Sequence, residues 1–254
     1  GTQVDPEKVE AALKANPNAK ILAFVHAETS TGVRSDAKTL CALAQQYDCL
    51  SIVDSVTGLA GIELEVDAWK ADVTYSGTQK CLSAPPGISL ITFSDKAAAQ
   101  VTARNTPVQS WFLDLSLLMA YWEGDGARTY HHTAPVNAMY GLHEALLMVK
   151  EEGLENSWDR HRAMHEILVE NLNSIGLEFV VDACYRLPQL NLVKIPEGVD
   201  EAAVRKRLLN EFNLEIGAGL GAFAGKVWRI GLMGYSARRE NIQLCTSALR
   251  HCMS

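Results

Sequence analysis

Short apolar runs alternate along the chain with segments whose apolar residues recur every three or four positions. Ile21–His26, Leu50–Ser55, Asp72–Ser76 and Ile88–Ser94 form the first set, and each reads as a strand, Ile21–His26 as a buried one. Between the first two, "SDAKTLCALAQQY" places Leu40, Leu43, Ala44 and Tyr47 on one helical stripe, with Ser35 or Asp36 as the cap. An earlier helix opens with Asp5 as N-cap, Pro6 at the first helical position and Glu7 where the helix dipole favours an acid. Strands alternating with amphipathic helices predict an α/β fold whose mostly parallel sheet is covered on both faces.

Beyond "YHHTAP" a long helix is predicted, with Met139, Leu142, Leu146 and Leu147 facing inward and Gly153 interrupting it. A helix over 158–175 then precedes two strand-like stretches, "LEFVV" and "LNLVKI". "DEAAVRKRLLNEF" reads as helix, "KVWRIGLM" as strand and "RRENIQLCTSALRHC" as a last helix. This change of texture predicts a large domain over residues 1–151 and a smaller α+β domain over 152–254.

Of the 254 residues, 48% are hydrophobic and 21% charged, the proportions of a globular protein. The formal net charge is −7 with acids and bases mixed, which argues against a nucleic-acid surface. No apolar run is long enough to span a membrane, and the opening residues show no signal peptide. The six cysteines are scattered without a C-x-x-C pair, so a reducing compartment is expected. The seven histidines show no metal-ligand spacing, and no metal is expected. A small-molecule or protein partner remains.

Candidate chemistry gathers at the strand exits, because ligands of such sheets bind beyond the carboxyl ends of strands. Three exits are polar and carry glycine: "HAETSTG", "DSVTG" and "SGTQK". Lys80, within "TYSGTQKCLSAPPG", has no other charge around it. Either it is a solvated surface group, or it is a partly desolvated amine able to attack carbonyls. Asp54 ends an apolar strand, either capping the next turn or facing a protonated ring nitrogen of a cofactor.

"HAETSTG", "VDSVTG", "YSGTQKCLSAPPG", "YHHTAP" and "KVWRIGLMG", in that order, resemble the class V aminotransferases of fold type I, nearest to the alanine–glyoxylate and serine–pyruvate group. The resemblance implies pyridoxal 5'-phosphate as cofactor, with Lys80 as its Schiff-base lysine and Asp54 on the pyridine nitrogen. It places Val56 beneath the ring, Thr29 near the O3′ oxygen and Gln79 on the phosphate. Tyr130 and Thr133 would reach the phosphate of a neighbouring subunit in a homodimer with a shared site. Arg229 would clamp the substrate carboxylate, and the substrates would be a small amino acid, alanine or serine, and a 2-oxo acid, glyoxylate or pyruvate. Chains of the family also begin earlier, so this sequence is expected to lack their N-terminal portion and, alone, to hold the cofactor weakly.

Two other readings stand beside this one. A lyase of the cysteine-desulfurase kind usually carries histidine where Gln79 stands and a nucleophilic cysteine in a mobile loop, whereas Cys184 lies in no obvious catalytic loop. A non-catalytic remnant of the fold would serve as an oligomer partner. Cys81 reads as a small buried thiol, and Trp111, Trp122 and Trp158 as packing anchors. His131 and His132 read as holders of a turn and of a subunit contact, not as acid or base, and Arg205–Arg207 as a solvated helix face.

Overall fold

A computed structural model describes residues 1–122 and 130–254. Its first half comprises α1 (Pro6–Ala15), β1 (Ile21–Val25), the short pair β2 (Ala27–Glu28) and β3 (Val33–Arg34), α2 (Ala37–Gln46), β4 (Leu50–Asp54), β5 (Val73–Gly77) and β6 (Ser89–Phe93). Both early helices start as their sequences dictate. The Asp5 carboxylate accepts the Glu7 N–H, and Asp36, not Ser35, accepts that of Thr39.

The strands lie in the order β1-β4-β5-β6, the first three parallel and β6 antiparallel to β5. Their register aligns Val25 with Asp54 and Asp54 with Tyr75, so three strand exits meet at one edge. At the opposite end, buried Asp72 accepts the Ser51 N–H at 2.9 Å and the Ser94 hydroxyl at 2.8 Å, tying three strands together.

Expected coverage on both faces is met on one. In β4 burial alternates, with Ser51 and Val53 sealed against Leu40 and Ala44 of α2 while Leu50, Ile52 and Asp54 are only half-buried. β1 lies at the sheet edge, where only Phe24 is buried and Ile21 is 53% exposed, so Ile21–His26 is not a buried strand. An edge strand packed on one face retains the apolar run but not the burial that run predicts.

The chain continues through α3 (Asp95–Thr102) and α4 (Leu115–Trp122) to α5 (Val136–Glu152) and α6 (Leu154–Ser174). Gly153, at φ +85°, separates the last two helices, as expected. The predicted inward stripe of α5 is corrected: Ala145 is buried and Leu142 and Val149 pack beside Leu82, whereas Met139, Leu146 and Leu147 are exposed. These positions do share one helix face, at i, i+3, i+7 and i+8, but among the described residues only part of that face is covered. Trp111 and Trp122 are likewise exposed and are no packing anchors; Trp158 is half-buried.

The remainder holds β7 (Leu190–Lys194), α7 (Glu201–Phe212), β8 (Gly217–Ala218), β9 (Val227–Gly231) and α8 (Arg239–Met253). An antiparallel sheet in the order β7-β9-β8 and helices α6, α7 and α8 close on Leu168, Val193, Leu208, Trp228, Ile242 and Leu249. "LEFVV" forms no strand of its own. Phe179 makes a single bridge to Val193, although the Val180 N–H reaches the Leu192 carbonyl.

Candidate active site

Asp54 is the last residue of β4, and its two carboxylate oxygens are held differently. One accepts the Val56 N–H at 2.9 Å, closing the turn that carries Val56; the other accepts the Tyr75 hydroxyl at 2.8 Å. Asp54 does organise the following turn, as one of its two expectations had it, and its carboxylate stays half-buried with lone pairs to spare. Burial, reinforced by the hydrogen bond to Asp54 and the charge of that carboxylate, pushes the Tyr75 hydroxyl up to about 12, so the phenol stays protonated.

Lys80 follows three residues after the end of β5, on the same edge. Its turn is closed by the Ser83 N–H to the Lys80 carbonyl at 3.0 Å and the Ala84 N–H to the Thr78 carbonyl at 3.0 Å. The Thr78 hydroxyl donates to the Pro85 carbonyl, which ties the "APP" segment across the base of the turn. Lys80 is half-buried and forms no ion pair among the described residues. Next to it, Cys81 is buried, and burial pushes its thiol up to about 12, which removes thiolate chemistry near neutral pH.

Arg229 arrives from β9. Its Nε donates to the Ala218 carbonyl at 2.7 Å and its Nη1 to the Thr29 carbonyl at 3.2 Å. The guanidinium crosses Gly217, where an added Cβ would stand 3.4 Å from Nη2. With one proton each of Nε and Nη1 used, Nη2 keeps its donors for another acceptor. Folding therefore joins the exit loop of β1, through Thr29, to the second sheet.

The aminotransferase class-V family profile matches residues 1–244. This chain belongs to the class-V aminotransferases. It is 43% identical to the alanine–glyoxylate aminotransferase of Callithrix jacchus over 97% of its own length and 60% of that protein. It is 38% identical to the (S)-ureidoglycine–glyoxylate transaminase of Bacillus subtilis, with 98% and 64% covered. The alanine–glyoxylate aminotransferase structure from a Nostoc species superposes with a TM-score of 0.96 at 46% identity, covering this chain fully and 67% of the other. The chain thus spans about 60% of the length of the first curated relative it matches. NifS-like proteins share the fold at 16% and 20% identity, which supports the fold alone.

Other expected site residues of this class-V aminotransferase chain are placed less closely together. Gln79 is exposed, and its amide oxygen lies where a Cβ on Gly77 would be 2.7 Å away. Tyr130 and Thr133 are exposed and hydrogen-bonded to each other through their hydroxyls. No hydrogen bond or ion pair among the described residues links them to Asp54, Lys80 or Arg229. His131 does hold the turn, stacking on Trp111 and bonding its carbonyl at 3.0 Å. Among the described residues no group of three or more His, Cys, Asp or Glu could hold a metal, and no helix is long and apolar enough to cross a membrane.

Sequence reading missed Tyr75, Ser83 and Gly217. Tyr75 had a legible signal: in a parallel pair, the residue level with Asp54 on the next strand is its neighbour. Ser83 and Gly217 act through contacts more than a hundred and about a dozen positions away respectively, and no local spacing marks them.

Proposed function

We propose that this chain carries out pyridoxal-phosphate-dependent transfer of an amino group from a small amino acid, alanine or serine, to a 2-oxo acid, glyoxylate or pyruvate. The observation that carries the reading is the convergence of Asp54, Lys80 and Arg229: two at adjacent strand exits of one sheet, the third anchored to the Thr29 loop beside them. The three aminotransferase relatives named above, each a glyoxylate aminotransferase by name, support the acceptor class.

The residues fit the cofactor by the chemistry of their donors. Asp54 is an anion with free lone pairs at the sheet edge, suited to a protonated pyridine nitrogen. Lys80 is an amine without an anionic partner among the described residues, suited to a carbonyl carbon. Pyridoxal phosphate, when bound, supplies the electron sink that lets an amino acid lose its Cα proton. Lys80 would be the base that takes this proton from Cα and holds it for return to the substrate. Arg229 grips the α-carboxylate with its free Nη2 protons and fixes which Cα bond faces Lys80. Val56, carried by the Asp54 turn, would lie beneath the ring, and Thr29 and Gln79 would hold polar edges of the cofactor. Tyr130 and Thr133, exposed and paired to each other, suit the phosphate of a second copy, and we infer a homodimer with a shared site and a boundary between larger and smaller domains near residue 151.

The desulfurase alternative is not favoured. Cys81 is held protonated by burial, the exposed Cys184 lies in the one-turn helix Ala183–Tyr185 and not in a long loop, and the named relatives above 30% identity are aminotransferases. The test is formation of pyruvate from alanine and glyoxylate with added pyridoxal phosphate. Transfer that disappears in Lys80→Ala supports the reading; sulfide release from cysteine with no amino transfer overturns it.

A further inference from the structure

Lys80, Arg229 and the Asp54 turn all bear on one buried histidine outside the expected site. His161, on α6, is fully buried. Its Nδ1 lies 2.7 Å from the Ser157 carbonyl, and its Nε2 lies 2.9 Å from the Gly234 N–H. A carbonyl can only accept and an amide N–H can only donate, so Nδ1 carries the proton and Nε2 is bare. Burial lowers the affinity of the ring for a second proton, opposed by the hydrogen bond to the Ser157 carbonyl and by Glu152 and aided by Arg160. His161 is therefore a fixed neutral acceptor.

Each of its contacts leads to a site element. Gly234 stands three residues after β9, the strand of Arg229. Its φ of +54° and missing Cβ let it lie on the Lys80 turn, since a Cβ there would meet Ser83 Oγ at 2.1 Å and the Cys81 carbonyl at 2.5 Å. The next N–H, of Tyr235, donates to Ser83 Oγ at 2.8 Å. On the other side, the hydroxyl of Ser157 donates to the Ala60 carbonyl at 2.7 Å, in the loop that leaves Asp54.

We propose that His161 is a positioning residue for Lys80, holding the Gly234–Tyr235 turn against Ser83 so that the lysine turn keeps a fixed place relative to Arg229 and Asp54. It touches no reacting atom. The proposal deepens the reading of Lys80 as the reacting lysine and rests on it.

The test compares His161→Gln, His161→Leu and Ser83→Ala in the 254-residue chain. Gln keeps an acceptor for the Gly234 N–H, whereas Leu leaves that donor buried and unpaired. Ser83→Ala cuts the link at its surface end without disturbing a core. Two readouts are taken: the rate at which a carbonyl or acylating reagent labels Lys80 in cofactor-free protein, located by mass spectrometry, and the visible absorbance of added pyridoxal phosphate. Expected is a fall of about tenfold in Lys80 labelling in His161→Leu and a smaller fall in Ser83→Ala. His161→Gln should stay within about threefold of wild type. If His161→Leu fails to fold, Ser83→Ala decides. Labelling unchanged in Ser83→Ala, or labelling that merely follows melting temperature in all three variants, overturns the proposal. Absence of visible absorbance in the wild type even with pyridoxal phosphate in large excess, which offsets the weak binding expected of this chain alone, overturns the cofactor reading and, with the labelling pattern intact, leaves the positioning role standing.

Discussion

Arg229 donates to the main-chain carbonyl of Thr29 across 3.2 Å, a contact between residues 200 positions apart. It fixes a cationic side chain from one sheet over the exit loop of the other, and it leaves the outer guanidinium nitrogen free. Arg229→Lys should lose both the Thr29 anchor and the bidentate geometry. The expected outcome is a rise of about a hundredfold in KM for the amino acid, with pyridoxal-phosphate absorbance retained. Steady-state kinetics beside a cofactor titration check it; an unchanged KM would place the carboxylate elsewhere.

Asp54→Asn tests whether charge, and not turn closure, is the role of Asp54. The amide oxygen can still accept either the Val56 N–H or the Tyr75 hydroxyl, so melting temperature should fall by only a few degrees. Amino transfer should fall by at least about a hundredfold, because an amide cannot keep a pyridine nitrogen protonated. Tyr75→Phe, which removes one hydrogen bond and no charge, should cost less than about tenfold.

Gly234 and Gly176 both have positive φ, +54° and +79°, but their surroundings differ. A Cβ on Gly176 meets nothing within 4 Å, whereas on Gly234 it collides with Ser83 and Cys81. Gly176→Ala should therefore cost about 1 kcal/mol, the price of backbone strain alone. Gly234→Ala should cost about 3 kcal/mol or more, since backbone must shift as well. Urea unfolding of the two variants measures the difference, and equal losses would contradict the packing described here.

Much of this was legible beforehand, and the division follows the range of the interaction. Asp5, Asp36 and Gly153 act on backbone within three or four residues, and their caps and break occur where the pattern puts them. The exits of β4 and β5 were legible because a parallel sheet sends all carboxyl ends one way. Met139, Leu146 and Leu147 were misread because periodicity reports an apolar face without saying what covers it. "LEFVV" has β propensity but only one bridge, because pairing depends on the neighbour and not on the run. His161 was invisible for a further reason: both its partners are main-chain groups, which leave no mark on side-chain patterns.

Stability should fall in acid through two buried histidines. Burial lowers His26 to about 4 from 6.5, with Arg34 adding to that effect and Asp36 opposing it; His161 is shifted the same way. A histidine held neutral in the fold binds its proton more readily when unfolded. Its contribution is thus complete above about pH 6.5 and is lost as pH falls towards about 4, by at most ~3 kcal/mol for His26. His26→Phe, which keeps a ring edge-on to Trp69, should flatten the urea midpoint between pH 7 and pH 4.5. A midpoint as steep as in the wild type would assign the acid sensitivity to other groups.

The most direct test of the central claim is borohydride reduction of the chain in the presence of pyridoxal phosphate, followed by peptide mass mapping. With pyridoxal phosphate in large excess to offset weak binding by this chain alone, the account predicts that the phosphopyridoxyl group falls chiefly on Lys80 and is lost in Lys80→Ala. Label spread over surface lysines, or absent from the Lys80 peptide, would contradict it.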